Sequence, residues 1–323
     1  VTSLGVEEFA ERFRVGITGK KVGVFSHPRV DPDGYAAALA ISELVIRLGA
    51  TSSYAYLDDM NSLAKRMSRH FPAPLPPEGY SPDVAVVVDA CGLKYAHRGK
   101  GFLGSTVYVI DHHQCGSVEP AHRYVDLAST SSCELVVKLM EALGVRPHPF
   151  LATALLGGLL FDTAIFKYGN SESVKAAADL IHQGADYALA VSFATREQSR
   201  SLRMAKLRAA QRVKLSEAGD LVVALSTADV FEGEVAESLL NLGANVALVA
   251  SPRGSGVRIS GRADAEAISS GVNLAELFGE NGGGHEGAAG ALVQGDPETV
   301  LQYFLDKLVE RLSKPGFALR RRT

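Results

Sequence analysis

Apolar runs rich in valine, isoleucine, alanine and tyrosine recur along the first half of the chain, separated by segments of helical character. KVGVFS (21–26), SSYAYL (52–57), DVAVVVD (83–89) and TVYVID (106–111) read as strands, because β-branched and aromatic side chains suit a pleated surface. Strands this continuously apolar are expected to be covered on both faces. AAALAISELVIRLG (36–49), a polar stretch NSLAKRMSRHF (61–71), SSCELVVKLMEALG (131–144), residues 152–166 and SVKAAADLIHQGA (173–185) read as helices. The alternation predicts an α/β fold with a mostly parallel sheet flanked by helices. FPAPLPPEGYSP (71–82) carries too many prolines for either element and is expected to be a loop.

A strongly charged, helix-favouring stretch, TREQSRSLRMAKLRAAQRVKLSE (195–217), changes the pattern and suits a solvated helical connector. Beyond it lie new strands, DLVVALST (220–227), NVALVAS (245–251) and GVRISGR (256–262), then a glycine-rich segment and a closing helix ETVLQYFLDKLVERL (298–312). The expected organisation is a larger N-terminal domain (1–190), a helical linker (191–217) and a smaller C-terminal α/β domain (218–323).

The 323 residues, 46% of them apolar, suffice for two cores. A net charge of −3 argues against a broad basic surface for long duplex DNA but leaves room for a local positive pocket, so any nucleic-acid substrate is expected to be small. Cys91, Cys115 and Cys133 are odd in number and form no CxxC pair, which fits a reducing compartment better than a disulfide framework or zinc ribbon. The first residues, VTSLGVEEFAERF, are acidic where an export signal is basic, and a cytoplasmic protein is expected. FLATALLGGLLFDTAIF (150–166) is interrupted by Asp162 and reads as a buried core helix, not a membrane span. The terminal ALRRRT reads as a frayed end.

Polar residues cluster where the apolar strands stop. KVGVFS runs into His27, Asp31 and Asp33, DVAVVV into Asp89, and TVYVI into Asp111, His112 and His113. The carboxyl ends of strands in an open α/β sheet line the ligand crevice, so residues distant in sequence converge there. Asp162 adds an acid to an otherwise apolar segment. Each residue alone suits a helix cap or a satisfied core histidine. Together, Asp31, Asp33, Asp89 and Asp162 would repel one another unless cations neutralised them. Two divalent ions would balance four carboxylates, with His27 and His112 as neutral ligands. This oxygen and nitrogen set suits Mn²⁺, with Co²⁺ or Mg²⁺ as substitutes. Two such ions would hold a bridging hydroxide and clamp a phosphoryl group, which points to phosphoester hydrolysis.

These stretches resemble the DHH phosphoesterase superfamily: HPRVDPDG (27–34) its first motif, VVVDACG (86–92) its second, VIDHHQCG (109–116) the one that names it, then STSSCE (129–134) and GLLFDTAIFKYGN (158–170). VRISGR (257–262) with GGGHEGAAGA (282–291) is similar to the DHH-associated domain. Size and two-domain layout look most like the short-oligoribonuclease (nanoRNase) and pAp-phosphatase branch. The resemblance implies that one metal is held by His27, Asp31 and Asp89, and the other by Asp33, Asp89, His112 and Asp162, with Asp89 bridging. It further implies that Asp111 orients a histidine through its ring N–H and that His113 faces the scissile phosphate. Gly282, Gly283 and Gly284 would let backbone amides approach a phosphate, with His285, Arg262 and, more weakly, Arg258 as charged contacts. Ala37 and Ala164 stand where relatives commonly carry a small polar residue and glycine.

The activity so implied is hydrolysis, with two Mn²⁺ ions, of very short RNA or DNA oligonucleotides and of nucleoside 3′,5′-bisphosphates such as pAp, with no membrane partner and room for a homodimer. A RecJ-like 5′–3′ exonuclease on single strands is the closest competitor, and its activity would rise with substrate length. A non-catalytic nucleotide-binding or assembly protein would have lost metal ligands, whereas all six are present.

Overall fold

The computed structural model describes residues 3–57, 59–96, 98–102, 106–114, 122–195, 198–254, 256–279 and 282–313. They belong to two compact units, 1–196 and 197–323. The expected tail at ALRRRT and Cys115 lie outside the described residues.

The first unit runs α1 (Val6–Ile17), β1 (Lys21–Phe25), α2 (Pro32–Arg47), β2 (Ser52–Tyr56), α3 (Ser62–His70), β3 (Val84–Val88), β4 (Thr106–Asp111), β5 (His122–Val125), α4 (Ser132–Ala142), α5 (Pro149–Asp162), α6 (Ser171–His182) and α7 (Tyr187–Ala194). Its sheet is parallel throughout in the order β2-β1-β3-β4-β5. The order reverses between β1 and β3, so the chain leaves Phe25 and its neighbour Val87 in opposite directions and opens a crevice there. All five residues of β3 are buried, which is why the strand is apolar without alternation. β5 is only four residues long and pairs along the edge of β4, too short for its composition to announce it.

α5 is buried on nearly every side, packed between α2 and α7, which accounts for its uniformly apolar sequence. No described helix is long and apolar enough to cross a membrane. The helix ends at Asp162 and not at residue 166 as expected. Ala164, Ile165 and Phe166 then follow with φ of 47°, 56° and 64°. Thr163 stabilises this left-handed turn: its hydroxyl donates to Leu159 O at 2.8 Å and accepts the Phe166 N–H at 3.2 Å. A side chain in this region costs ~1–2 kcal/mol per residue. Ala164→Gly is therefore expected to raise stability by about 0.5–1 kcal/mol after the entropy of glycine in the unfolded chain is deducted. Thermal unfolding checks this, and an unchanged or lowered midpoint contradicts it.

The second unit contains α8 (Arg200–Gln211), β6 (Lys214–Ala218), β7 (Leu221–Thr227), α9 (Glu232–Asn241), β8 (Val246–Arg253), β9 (Gly256–Ala263), α10 (Ala265–Ser269), α11 (Leu274–Phe278), β10 (Gly282–His285), β11 (Ala288–Gln294) and α12 (Pro297–Ser313). Its mixed sheet has the order β10-β11-β9-β8-β7-β6, with β7 and β8 as its parallel pair. Leu248, Ile259, Leu277 and Phe304 share a core on one face, while Ala209, Val235, Leu239 and Val249 form another with α8 and α9.

The expected 191–217 connector is not one element. α7 ends at Ala194 in the first unit, α8 packs on α9 in the second, and β6 pairs antiparallel with β7. β6 escaped notice because it is an edge strand with mostly exposed, polar positions. Cys133 is free and buried at the start of α4.

Candidate metal centre and anion cavity

β1 delivers His27 to the crevice, and Asp31 then caps α2, with Pro32 opening the first turn. Asp31 Oδ1 accepts the N–H groups of Asp33 and Gly34 at 3.0 and 3.1 Å, while its Oδ2 lies 3.7 Å from His27 Nε2. His27 Nδ1 is 2.9 Å from Pro28 O, and a carbonyl only accepts, so Nδ1 carries a hydrogen. Nε2 is thereby the ring's ligating atom, 3.2 Å from Asp89 Oδ2. A Cβ at Gly34 would stand 3.0 Å from that oxygen, so glycine here lets the carboxylate approach the helix start.

Asp33 is fully buried and accepts the N–H groups of Ser132 and Cys133 at 2.7 and 2.9 Å, tying the start of α2 to that of α4. Asp89 follows β3 with φ 54°, a strained backbone at the junction of the cluster. Its Oδ1 accepts from Ser132 Oγ at 3.2 Å and lies 3.5 Å from His112 Nε2. His112 Nε2 is also 3.3 Å from Asp162 Oδ2, at the last residue of α5. Asp111 is buried at the end of β4, where its Oδ1 accepts the N–H groups of His112 and His113 and meets His113 Nδ1 at 2.9 Å. The histidine it orients through the ring is thus His113, whose side chain is 57% exposed.

Ligating atoms converge in three groups, each within 4.8 Å: His27, Asp31 and Asp89; Asp33, His112 and Asp162; and Asp89, His112 and His113. All six residues expected as ligands are brought together, and Asp89 stands between the first group and His112. Reading from sequence overlooked Ser132 and Cys133, whose backbone anchors Asp33. The available signal was the capping pattern of Ser131 to Glu134, with Ser131 Oγ accepting the Glu134 N–H at 3.1 Å.

Burial opposes charge on His27, but Asp31 and Asp89 outweigh it and raise its pKa to about 11. Burial likewise opposes charge on His112, which Asp162 and Asp89 nevertheless carry to about 11. Asp33 is pushed well above the carboxylate range by burial and then by Asp162 and Asp89. Burial, Asp89 and Asp31 also raise Asp162, whereas for Asp89 the burial penalty is overcome by His112 and His27 and its pKa falls. His113 is raised, chiefly by Asp111. Protons on the two rings therefore offset the crowded carboxylates. His112 Nε2 is buried without hydrogen-bond geometry to any partner, although two carboxylate oxygens flank it. A donor atom so placed fits a divalent cation.

In the second unit, one face of β9 presents Arg258, Ser260 and Arg262 to a cavity of about 680 Å³ that Gly283, Gly290 and Glu232 also line. Arg262 donates to Gly261 O at 2.9 Å. Arg258 is bound to Glu232 at 2.8 Å, and Arg253 to the other oxygen of Glu232 at 3.2 Å. Its charge is thus partly neutralised by an acid the sequence did not single out. The glycine-rich segment is a hairpin strand and not a loop, with Gly282 opposite Ala291 and His285 opposite Ala288. Its glycines differ: side chains at Gly282 and Gly284 would press into Phe278 and the Ala288–Ala289 backbone, whereas a Cβ at Gly283 meets open space. His285 is exposed and accepts the Gly287 N–H at 3.3 Å. α9 begins at the cavity wall with no side chain capping its first turn, and that turn carries Glu232 and Glu234, which with Glu237 add acids to the lining.

The family described as "DHH family, N-terminal domain" matches residues 21–160. An uncharacterised protein of Methanocaldococcus jannaschii is 26% identical over 281 residues, covering 82% of this chain and 84% of that protein. The bifunctional oligoribonuclease and PAP phosphatase NrnA of Thermus thermophilus is 29% identical over 218 residues, covering 64% of this chain and 65% of NrnA. A solved structure of an exopolyphosphatase-related protein from Bacteroides fragilis superposes with a TM-score of 0.65 over 98% of this chain and all (100%) of that one, at 18% identity, a likeness of fold.

Proposed function

Because this chain belongs to the DHH phosphoesterase superfamily, we propose that it is a Mn²⁺-dependent hydrolase of very short oligonucleotides and of nucleoside 3′,5′-bisphosphates such as pAp. The observation that carries the reading is the convergence of carboxylate and histidine donors in three adjoining groups, two of which share Asp89, at the sheet's switch point. The likeness to NrnA, whose name joins oligoribonuclease and PAP phosphatase, supports the substrate class. The three arginines of the second unit's cavity support a phosphate-bearing ligand, with Glu232, Glu234 and Glu237 sharing its lining.

His27, Asp31 and Asp89 would hold one cation, and Asp33, Asp89, His112 and Asp162 the other. Bound divalent ions supply Lewis-acid activation and charge neutralisation at phosphorus. The protein's own groups do the rest. Asp33, fixed by two N–H groups, keeps α2 and α4 in register, and Pro28 O keeps the His27 ring turned toward the cluster. Asp111 holds Nδ1 of the exposed His113 ring and favours its protonated form, so Nε2–H is placed to donate to a phosphate oxygen. In the second unit, Arg262 and Gly283 are the contacts offered to an anionic ligand.

The test is purified protein in Mn²⁺ with pAp, dinucleotides and a ladder of longer RNA. Turnover of pAp and the shortest oligonucleotides is the expected result. Rates that climb steadily with length would favour a single-strand exonuclease, and no turnover of any of them would refute the substrate class.

A further inference from the structure

We propose that the exposed face of α8 is a second phosphate-binding surface, shaped for the backbone of a single-stranded nucleic acid that extends beyond the anion cavity. The inference rests on the nucleotide-directed reading above and adds a site to it. Arg200, Met204 and Arg208 follow one another at four-residue intervals along one side of the helix, and Arg212 stands at its C-cap. With Thr227 and Asp229 they line a groove of about 420 Å³.

Residues 198–216 contain six cations, Arg200, Arg203, Lys206, Arg208, Arg212 and Lys214, and no acid, in a chain whose net charge is −3. Lys214 is paired with Glu298. Among the described residues no carboxylate pairs with Arg200, Arg203, Lys206, Arg208 or Arg212. Arg203 donates to Gln198 O at 3.1 Å, and Arg212 reaches Thr227 Oγ1 at 3.5 Å, which turns its guanidinium toward the groove. Like charges three or four residues apart weaken a helix, and α8 is held by little, with Ala209 its buried residue. An external anion removes that repulsion.

Three features favour a nucleic-acid strand. The groove's cations are all arginine, whose planar fork matches phosphate oxygens in pairs. Met204, 40% exposed between Arg200 and Arg208, offers an adaptable apolar surface against which a base can rest. Residues 227–230 wall the groove and residues 231–234 wall the anion cavity, so the two are contiguous along one short segment of chain. Asp229, the one acid among the described residues that line the groove, sits at that junction.

The experiment compares the full chain with a variant carrying Arg200→Gln, Arg208→Gln and Arg212→Gln, all exposed positions. End-labelled oligoribonucleotides of two, four and six nucleotides are bound in EDTA, where no turnover occurs, and followed by anisotropy over a range of salt. The expected result is dinucleotide affinity within about twofold of wild type and hexanucleotide affinity lowered about tenfold or more. The salt slope for the hexanucleotide should become shallower by about 2, from three lost phosphate contacts at ~0.7 each. Hexanucleotide affinity and slope equal to wild type overturn the inference alone. Wild-type protein that is folded and binds no oligonucleotide of any length overturns it together with the nucleotide-directed reading. A variant that loses binding to phosphatidylserine vesicles while keeping its RNA affinity assigns the surface to anionic lipid and overturns it as well.

Discussion

Asp89→Asn is expected to lower the proposed Mn²⁺-dependent phosphoester hydrolysis by on the order of a thousandfold, equivalent to about 4 kcal/mol of barrier. Asp89 offers Oδ2 to the His27 and Asp31 group and Oδ1 toward His112, so it is common to both halves of the cluster. A neutral amide carries no charge to share between two cations and has one oxygen where the carboxylate has two. The fold is expected to survive, because asparagine tolerates the φ of 54° that this position requires, and its oxygen can still accept the Ser132 hydroxyl. Steady-state rates on pAp, bound metal per chain and the unfolding midpoint, measured together, decide the matter. More than a tenth of the wild-type rate at an unchanged midpoint would show that Asp89 is not the junction of the site.

Mn²⁺ binding should release at least the two protons of His27 and His112 per chain at neutral pH, and its affinity should rise with pH, by about a hundredfold per unit for two protons, between pH 6 and 8. The sign follows from the raised pKa values of His27 and His112, each about 11. Well below pH 11 the metal-free protein holds a proton on each ring, and a cation must displace both. Raising the pH weakens that competition. For the metal-free fold, the contribution of these protonated rings is fully present below the unfolded histidine pKa of about 6.5 and is lost as pH climbs through about 11. Titration calorimetry in two buffers of different ionisation enthalpy counts the protons. His112→Asn should reduce the release by one. Heats that do not depend on the buffer would mean that both rings are already neutral before metal arrives.

Much of the candidate site was legible because chemistry follows geometry in parallel sheets. His27, Asp89 and His112 stand just after apolar runs, where a strand end must open toward a crevice, and Asp31 follows at the start of α2. Asp162 stood out as an acid in an otherwise apolar helix. Less legible were features whose signal is distant or absent. Nothing local to Asp33 shows that its carboxylate is held by the start of α4, about 100 residues on. β10 hid behind its glycines, which have no side chains to alternate, and was not read as a strand. Arg258 read as a free cation because its partner Glu232 lies on another element. The charged stretch before β6 read as a linker because solvated helix, edge strand and connector share a composition.

By itself the sequence determined which segments could be strand or helix, since periodicity, β-branching and proline act over a few residues, and it displayed the donor atoms a metal cluster needs. Only the tertiary structure decided that β1 lies beside β3, that Asp89 stands between His27 and His112, that Asp111 holds His113, and that three arginines at α8 line one groove with Asp229. Those are long-range matters. Strand order and side-chain convergence follow from the packing of whole elements against one another, and that packing is a property of the assembled chain.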